Sequence, residues 1–119
     1  MRAPHWTTNL RGRPQQRGVM NKSEQAYASE LRLRESAGEI AWWAFEPWKF
    51  RLGKGAYYTP DFAVMLADGS CELIDVKGFW AEAAKVRMKV AAEKYWMFRW
   101  VAVFKQPKKH GGGWKREEV

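Results

Sequence analysis

The chain has 119 residues, of which 46% are hydrophobic and 15% aromatic, and this size and composition predict one folded domain rather than a disordered chain. Lysine and arginine number 21 against 13 acids, and the formal charge of +8 favours a polyanionic partner such as nucleic acid, although basic residues also serve solubility. The single cysteine excludes an intramolecular disulfide and a cysteine-based zinc site, and the longest apolar runs are too short to span a bilayer. The sequence begins without the apolar stretch of a secretory signal, so we expect a soluble protein of the cytoplasm with no membrane partner.

The two ends of the chain differ in composition from its middle. Residues 1–20 are rich in Arg, Pro, Gly and Gln and contain no acid, which predicts a flexible basic arm. Residues 105–119 are polar and include three consecutive glycines, which predicts a C-terminal tail. The folded domain is therefore expected to comprise residues 21–104.

A first helix is predicted to begin at a cap between Asn21 and Ser23 and to end before Gly38. Glu24 stands at the start of the helical stripe that should pack on the core. Its carboxylate can complement the N-terminal dipole of the helix, and it can also face the sheet. Both roles are compatible with the sequence.

The middle of the chain contains three stretches rich in aromatic and branched residues, separated by glycine-containing turns. They predict a meander of three strands at 42–52, 56–67 and 70–78. Helix-forming residues over 81–96 predict a second helix, and a last strand over 98–104 should return parallel to an earlier strand. The order αβββαβ predicts an α/β domain with a mixed central sheet flanked by helices.

Three charged residues interrupt stretches that otherwise have the composition of buried strands: Asp61 in "YTPDF", and Asp75 and Lys77 in "IDVKG". A buried charge is costly unless it has a partner, a metal ion or a catalytic role. A surface hairpin with an incidental salt bridge is the simpler interpretation. A metal-dependent nuclease site is the more specific one.

The geometry of the hairpin decides whether the three side chains meet. Asp75 and Lys77 are two residues apart and so point to one face of the sheet. A two-residue turn would place Asp61 opposite Val76, on the other face. A three-residue turn over 67–69, with Gly69 left-handed, places Asp61 opposite Asp75, and we predict this arrangement or a bulge near Pro60 with the same effect.

Such a convergence has the chemistry of a magnesium site, with Glu24 approaching from the first helix. Mg²⁺ prefers hard oxygen ligands and commonly takes one or two carboxylates together with water and substrate phosphate. The ion would lower the pKa of its water and neutralise charge on phosphorus, while Lys77 orients the attacking water. Glu72 is expected on the opposite face.

The motifs "PDF" and "DVKG" resemble those of the PD-(D/E)xK nuclease superfamily, whose restriction-endonuclease-like core is also αβββαβ. With the preceding "NKSEQAYA" helix, the set is similar to small bacteriophage endonucleases of the Holliday-junction-resolving type, over residues 21–104. The resemblance implies that Asp61 and Asp75 bind Mg²⁺, with Mn²⁺ able to substitute. It also implies that Lys77 is the catalytic lysine, and that Glu24 is a further catalytic acid and metal ligand.

The function implied is that of a phage-encoded, metal-dependent endodeoxyribonuclease that acts on branched or structured DNA in the bacterial cytoplasm and leaves 5′-phosphate ends. Paired nicks in a junction imply a homodimer, and no organic cofactor is implied. Two alternatives remain open, a restriction-like or nicking endonuclease on duplex DNA and a catalytically silent DNA-binding module of the same fold.

Basic residues in two parts of the sequence are candidates for contacts with DNA phosphates. Both sets would give affinity that depends on salt and little on sequence. The second set is equally compatible with a solvated helix face beside glutamates. The candidates are Arg11, Arg13 and Arg17 in the arm, and Lys85, Arg87 and Lys89 on the second helix.

Overall fold

The computed structural model describes residues 18–119. Two helices and seven strands make up this part of the chain, together with a short 3-10 turn at Lys108–His110. In chain order they are α1 (Lys22–Ser36), β1 (Ile40–Phe45), β2 (Phe50–Gly53), β3 (Ala56–Tyr58), β4 (Phe62–Leu66), β5 (Cys71–Val76), α2 (Glu82–Lys94), β6 (Arg99–Lys105) and β7 (Trp114–Glu118).

The main sheet has five strands in the order β1-β4-β5-β6-β7. Only β5 and β6 are parallel, and the helix α2 connects them, so the predicted α/β class with a mixed sheet and flanking helices is confirmed. The predicted positions of both helices are also confirmed. Asn21 caps α1 and forms a reciprocal capping box with Glu24.

Two of the predicted strands are each divided into two. The 42–52 strand breaks after β1, where Glu46 adopts a φ of 47° and Pro47 follows. The 56–67 strand breaks at Pro60, which has no N–H to donate to a ladder. The inner segments, β2 and β3, leave the main sheet and pair with each other as a separate antiparallel hairpin.

The sheet separates two apolar layers. On one face α1 packs its buried Tyr27, Ala28 and Leu31 against strand residues that include Phe62 and Ile74. The second face is covered by α2 and the β2–β3 hairpin; its buried residues are Phe50, Ala63, Leu73, Met88, Ala91, Trp100 and Ala102. Side chains of β4 and β5 alternate between these layers, as the period of a strand requires.

The predicted C-terminal tail is not a tail throughout, because residues 114–118 form β7 and pair with β6 at the edge of the sheet. Arg116 of this strand reaches the buried Glu72, with its Nη2 2.6 Å from Oε2. Glu72 therefore lies on the α1 face, opposite to the predicted site, as expected. A charged sequence such as "WKREE" is common in edge strands, where it discourages further strand addition.

Among the described residues, no helix has the length and apolar character needed to cross a membrane. The single cysteine, Cys71, is half-buried and packs beside the α2 layer. Burial raises the pKa of its thiol to about 11, and the charge of Glu72 adds to the shift. A half-buried thiol with a raised pKa is suited to packing rather than to nucleophilic attack.

Candidate active site

The turn between β4 and β5 sets the register on which the site depends. Residues 67–69 form the predicted three-residue turn, with Leu66 and Ser70 hydrogen-bonded across it and Gly69 at a φ of +90°. The ladder pairs Phe62 with Ile74. Continuing it by one residue places Asp61 opposite Asp75, as predicted.

The two aspartates are joined by reciprocal contacts between side chains and backbone. The Asp61 N–H donates to Oδ1 of Asp75 at 3.0 Å. The Val76 N–H donates in turn to Oδ2 of Asp61 at 2.8 Å. Each carboxylate is thereby held by the strand that carries its partner, so the pair is fixed by the ladder and not by free side-chain rotation.

A lysine and a tyrosine meet at the other oxygen of Asp75. The Nζ of Lys77 lies 3.2 Å from Oδ2 of Asp75. The Tyr58 hydroxyl, at the end of the β2–β3 hairpin, donates a hydrogen bond to the same oxygen. The Asp75 side chain is 5% exposed and that of Lys77 is 22% exposed, which leaves the ammonium open to solvent on one side.

The electrostatics of the pair are those of two acids sharing one cation. Burial, followed by the charges of Asp75 and Glu24, raises the pKa of Asp61, and the net value is about 8. The Val76 N–H and the charge of Lys77 oppose this rise. At neutral pH the pair therefore tends to retain one proton, which a metal cation would displace.

Glu24 lies near enough for its charge to act on Asp61, but its carboxylate is occupied by the helix cap. Its Oε1 accepts a hydrogen bond from the Asn21 N–H at 2.9 Å. Within residues 18–119 no three acid, histidine or cysteine side chains are arranged so that they could hold a metal ion. The structure thus brings together Asp61, Asp75 and Lys77, and it leaves Glu24 beside them as a cap.

The predicted DNA-binding residues fall into three groups. Arg11, Arg13 and Arg17, with most of the predicted arm, lie outside the described residues. On α2, the Nζ of Lys85 stands 5.4 Å from the centre of the Trp80 ring, and Lys89 is exposed.

Arg87 is exposed and its charge acts on Tyr58. Burial raises the pKa of the Tyr58 hydroxyl, and the negative charge of Asp75 raises it further, whereas Arg87 lowers it. Arg87 of α2 is therefore close enough to the site for its charge to act on Tyr58.

Tyr58 is the site residue that the sequence analysis missed. It precedes the "PD" motif by two residues, but strand parity cannot place it because the chain leaves the main sheet at Pro60. No local signal identifies it, because its contact with Asp75 depends on how the hairpin packs on the sheet.

A family model described as a protein of unknown function, DUF1064, matches residues 18–111. No curated protein and no solved structure matches the chain. Because the family model spans most of the sequence, from α1 to the turn after β6, the chain belongs to the DUF1064 family.

Proposed function

We propose that this protein is a metal-dependent endodeoxyribonuclease that hydrolyses phosphodiester bonds in branched or structured DNA. The observation that carries the proposal is the convergence of Asp61 and Asp75 from neighbouring strands with the ammonium of Lys77. The two carboxylates are suited to binding a metal cation. The lysine and the net charge of +8 are suited to binding a polyanion such as DNA.

The donor set fits Mg²⁺ or Mn²⁺. Asp61 and Asp75 would hold the ion, since both present hard carboxylate oxygens and Mg²⁺ commonly keeps water and substrate oxygens in its remaining positions. Once bound, the ion would supply an activated water and neutralise charge on the phosphate. The raised pKa of Asp61 agrees with such a role, because binding the cation releases the proton that otherwise relieves the repulsion of the pair.

The remaining residues act on the substrate and on the carboxylates. Lys77 is placed to orient the attacking water and to stabilise negative charge at the scissile phosphate. Tyr58 fixes the orientation of Asp75 through its hydrogen bond. The charge of Glu24 acts on Asp61, and we propose that Glu24 would become a further ligand once an ion is bound.

The fold proposed is the restriction-endonuclease-like core of the PD-(D/E)xK superfamily. Supporting it, α1, β1, β4, β5, α2 and β6 follow one another in the αβββαβ order, with the β2–β3 hairpin inserted and β7 added. The acids stand at the start of β4 and the end of β5, at one end of the sheet. This is where the DxK motif would place them.

Branched DNA is proposed as the substrate because the motifs resemble those of small junction-resolving endonucleases. Two matched nicks in a four-way junction require two sites, so we propose a homodimer. The alternative substrate is an unbranched duplex, cut by a restriction-like or nicking activity. A silent DNA-binding module would have no use for the metal.

The deciding experiment gives the purified protein a labelled four-way junction and a matched linear duplex, each with Mg²⁺, Mn²⁺ or a chelator. We expect metal-dependent cleavage of the junction, and a loss of a hundredfold or more in Lys77→Met. The matched control is Asp68→Asn, which removes an exposed carboxylate in the turn at the far end of the same hairpin. Equal cleavage of both DNAs would favour the duplex alternative, and binding without cleavage under any metal would contradict the proposal.

A further inference from the structure

The inner side of the β2–β3 hairpin is anchored in the core. Phe50 of β2 is fully buried, with its ring centre 4.8 Å from that of Tyr95 and 5.2 Å from that of Trp100. The Tyr95 hydroxyl donates to the backbone carbonyl of Arg51 at 2.7 Å. The hairpin is therefore fixed to α2 and β6 by its inner side chains and by one backbone contact.

The outer side of the hairpin has a different composition. Arg51 pairs with Tyr57 across the two strands, so both side chains lie on the face opposite to Phe50. The Nζ of Lys49 stands 4.5 Å from the centre of the Tyr57 ring, which is 48% exposed, and Lys54 occupies the turn. Among residues 18–119, none of these three cations forms an ion pair with a carboxylate.

The hairpin lies next to the paired aspartates. Tyr58, its last residue, donates its hydroxyl to Asp75, and only Thr59 and Pro60 separate it from Asp61. A link of three peptide steps spans at most about 10 Å. The charge of Arg87 on α2 acts on the same tyrosine, so a further cation lies near the site.

We propose that the outer face of the β2–β3 hairpin, formed by Lys49, Arg51, Lys54 and Tyr57, binds the phosphate backbone of DNA beside the Asp61–Asp75 pair. The inference rests on the proposed nuclease function and adds a binding surface to it. Cations without a carboxylate partner are the groups that neutralise phosphates and release counterions. Their rigid mounting limits the ordering cost of binding.

The test compares Arg51→Gln/Lys54→Gln with the control Arg32→Gln. Arg32 is an exposed arginine of α1 that, within residues 18–119, has no ion pair, and it is on the helix that covers the other face of the sheet. The Arg51 variant keeps the backbone carbonyl that Tyr95 contacts. Binding to a labelled junction and to a duplex is measured in chelator, which prevents cleavage, over a range of salt concentrations, after melting curves show that each variant is folded.

We expect the slope of log K against log salt for the duplex to become shallower by about 1.8 in the double variant, since each lost phosphate contact removes about 0.9. Affinity at low salt should fall by on the order of tenfold or more. Arg32→Gln should match the wild type in both measurements. An unchanged slope and affinity in the folded double variant would overturn the inference.

The same proteins separate this inference from the proposed function. With Mg²⁺, the double variant should need more DNA for half-maximal cleavage while its single-turnover rate at saturating DNA stays within about twofold of the wild type. If the wild type cleaves and the double variant binds DNA as well as the wild type, the hairpin inference is wrong and the proposed function stands. If the double variant binds DNA more weakly but the wild type does not cleave with any metal, the nuclease function is wrong and the hairpin inference stands.

Discussion

Two buried carboxylates stand three residues apart on β5, and their surroundings differ in charge balance. Glu72 faces α1, and its Oε2 forms ion pairs with Nη2 of Arg116 at 2.6 Å and with Nη1 of Arg99 at 3.7 Å. Asp75 faces the other side, where a second carboxylate, Asp61, competes with it for the single ammonium of Lys77. The first cluster is neutralised by arginines, as a structural ion pair is expected to be.

The second cluster holds two carboxyl groups for the one ammonium of Lys77, so it avoids an excess of negative charge only while one of the two keeps its proton. A buried group held in such an arrangement marks a functional site more often than a structural one, because stability alone favours neutralisation. The comparison therefore supports a structural role for Glu72 and the proposed active-site role for Asp75, although both are buried and both belong to the same strand. Each of the following variants is expected to disturb one cluster and spare the other.

The largest effect is expected from Asp75→Asn. It should lower the single-turnover rate of junction cleavage in Mg²⁺ by a hundredfold or more, since it removes half of the proposed carboxylate pair. The melting temperature should stay within a few degrees, because the amide oxygen of Asn can still accept from the Asp61 N–H and the removal of one of two competing acids offsets the lost contact with Lys77. Cleavage at the wild-type rate would exclude Asp75 from the site.

Arg116→Met should have the opposite profile. It leaves Glu72, whose side chain is only 3% exposed, without its closest cation, and we expect a loss of about 2 kcal/mol in the free energy of unfolding. The estimate is below that for a fully buried pair because the Arg116 side chain is 34% exposed and Arg99 remains. Urea unfolding measures the loss, and the cleavage rate of the folded fraction should not change.

The double variant Glu72→Gln/Arg116→Met provides the control for this prediction. Removing both charges should restore most of the stability, since an uncompensated buried charge is the main cost. A double variant that is no more stable than Arg116→Met would show that Arg116 acts through packing.

A smaller effect per pH unit should appear in the pH dependence of the free energy of unfolding without metal. The folded pKa of Asp61 is about 8, above the ordinary aspartate value of 3.8, so the folded state binds more protons than the unfolded chain between about pH 4 and pH 8. The free energy of unfolding should therefore fall as the pH rises through this window, by about 1 kcal/mol per pH unit at the steepest point. Urea titrations in chelator measure it.

Asp61→Asn cannot release this proton and should flatten the curve above pH 4. Parallel curves for the wild type and Asp61→Asn would contradict the assignment of the proton to the aspartate pair.

The smallest effect is expected at Glu24, where two substitutions separate its two roles. Glu24→Gln keeps a side chain that can complete the capping box but removes the charge beside Asp61. It should raise the Mg²⁺ concentration for half-maximal cleavage by a few fold, about 1 kcal/mol, at unchanged stability.

Glu24→Ala should do the same and also lose about 1 kcal/mol of helix stability through the cap. If Glu24→Gln leaves the Mg²⁺ dependence unchanged, the residue is a helix cap only.

The sequence predicted the elements and contacts whose causes are local. The cap at Asn21, the glycine that allows the left-handed turn at Gly69 and the alternation along β5 are all encoded within a few residues. Together these were enough to place Asp61 opposite Asp75.

What the sequence did not reveal depends on contacts between distant segments. The breaks at Glu46–Pro47 and at Pro60 lie inside stretches of high strand propensity, and the separate β2–β3 hairpin exists because Phe50 finds its place against Tyr95 and Trp100. β7 was missed because an exposed, charged strand gains its stability from its partner, not from its own composition. Tyr58 was missed because it lies at the end of the hairpin that the unpredicted break at Pro60 separates from the main sheet.

The two edge strands of the five-stranded sheet, β1 and β7, differ in charge. β7 carries charges at four of its five positions, whereas β1, with the sequence "IAWWAF", carries none. Charged borders resist the addition of another strand, and apolar ones accept it. If the sheets of two copies join edge to edge, the junction is therefore expected along β1.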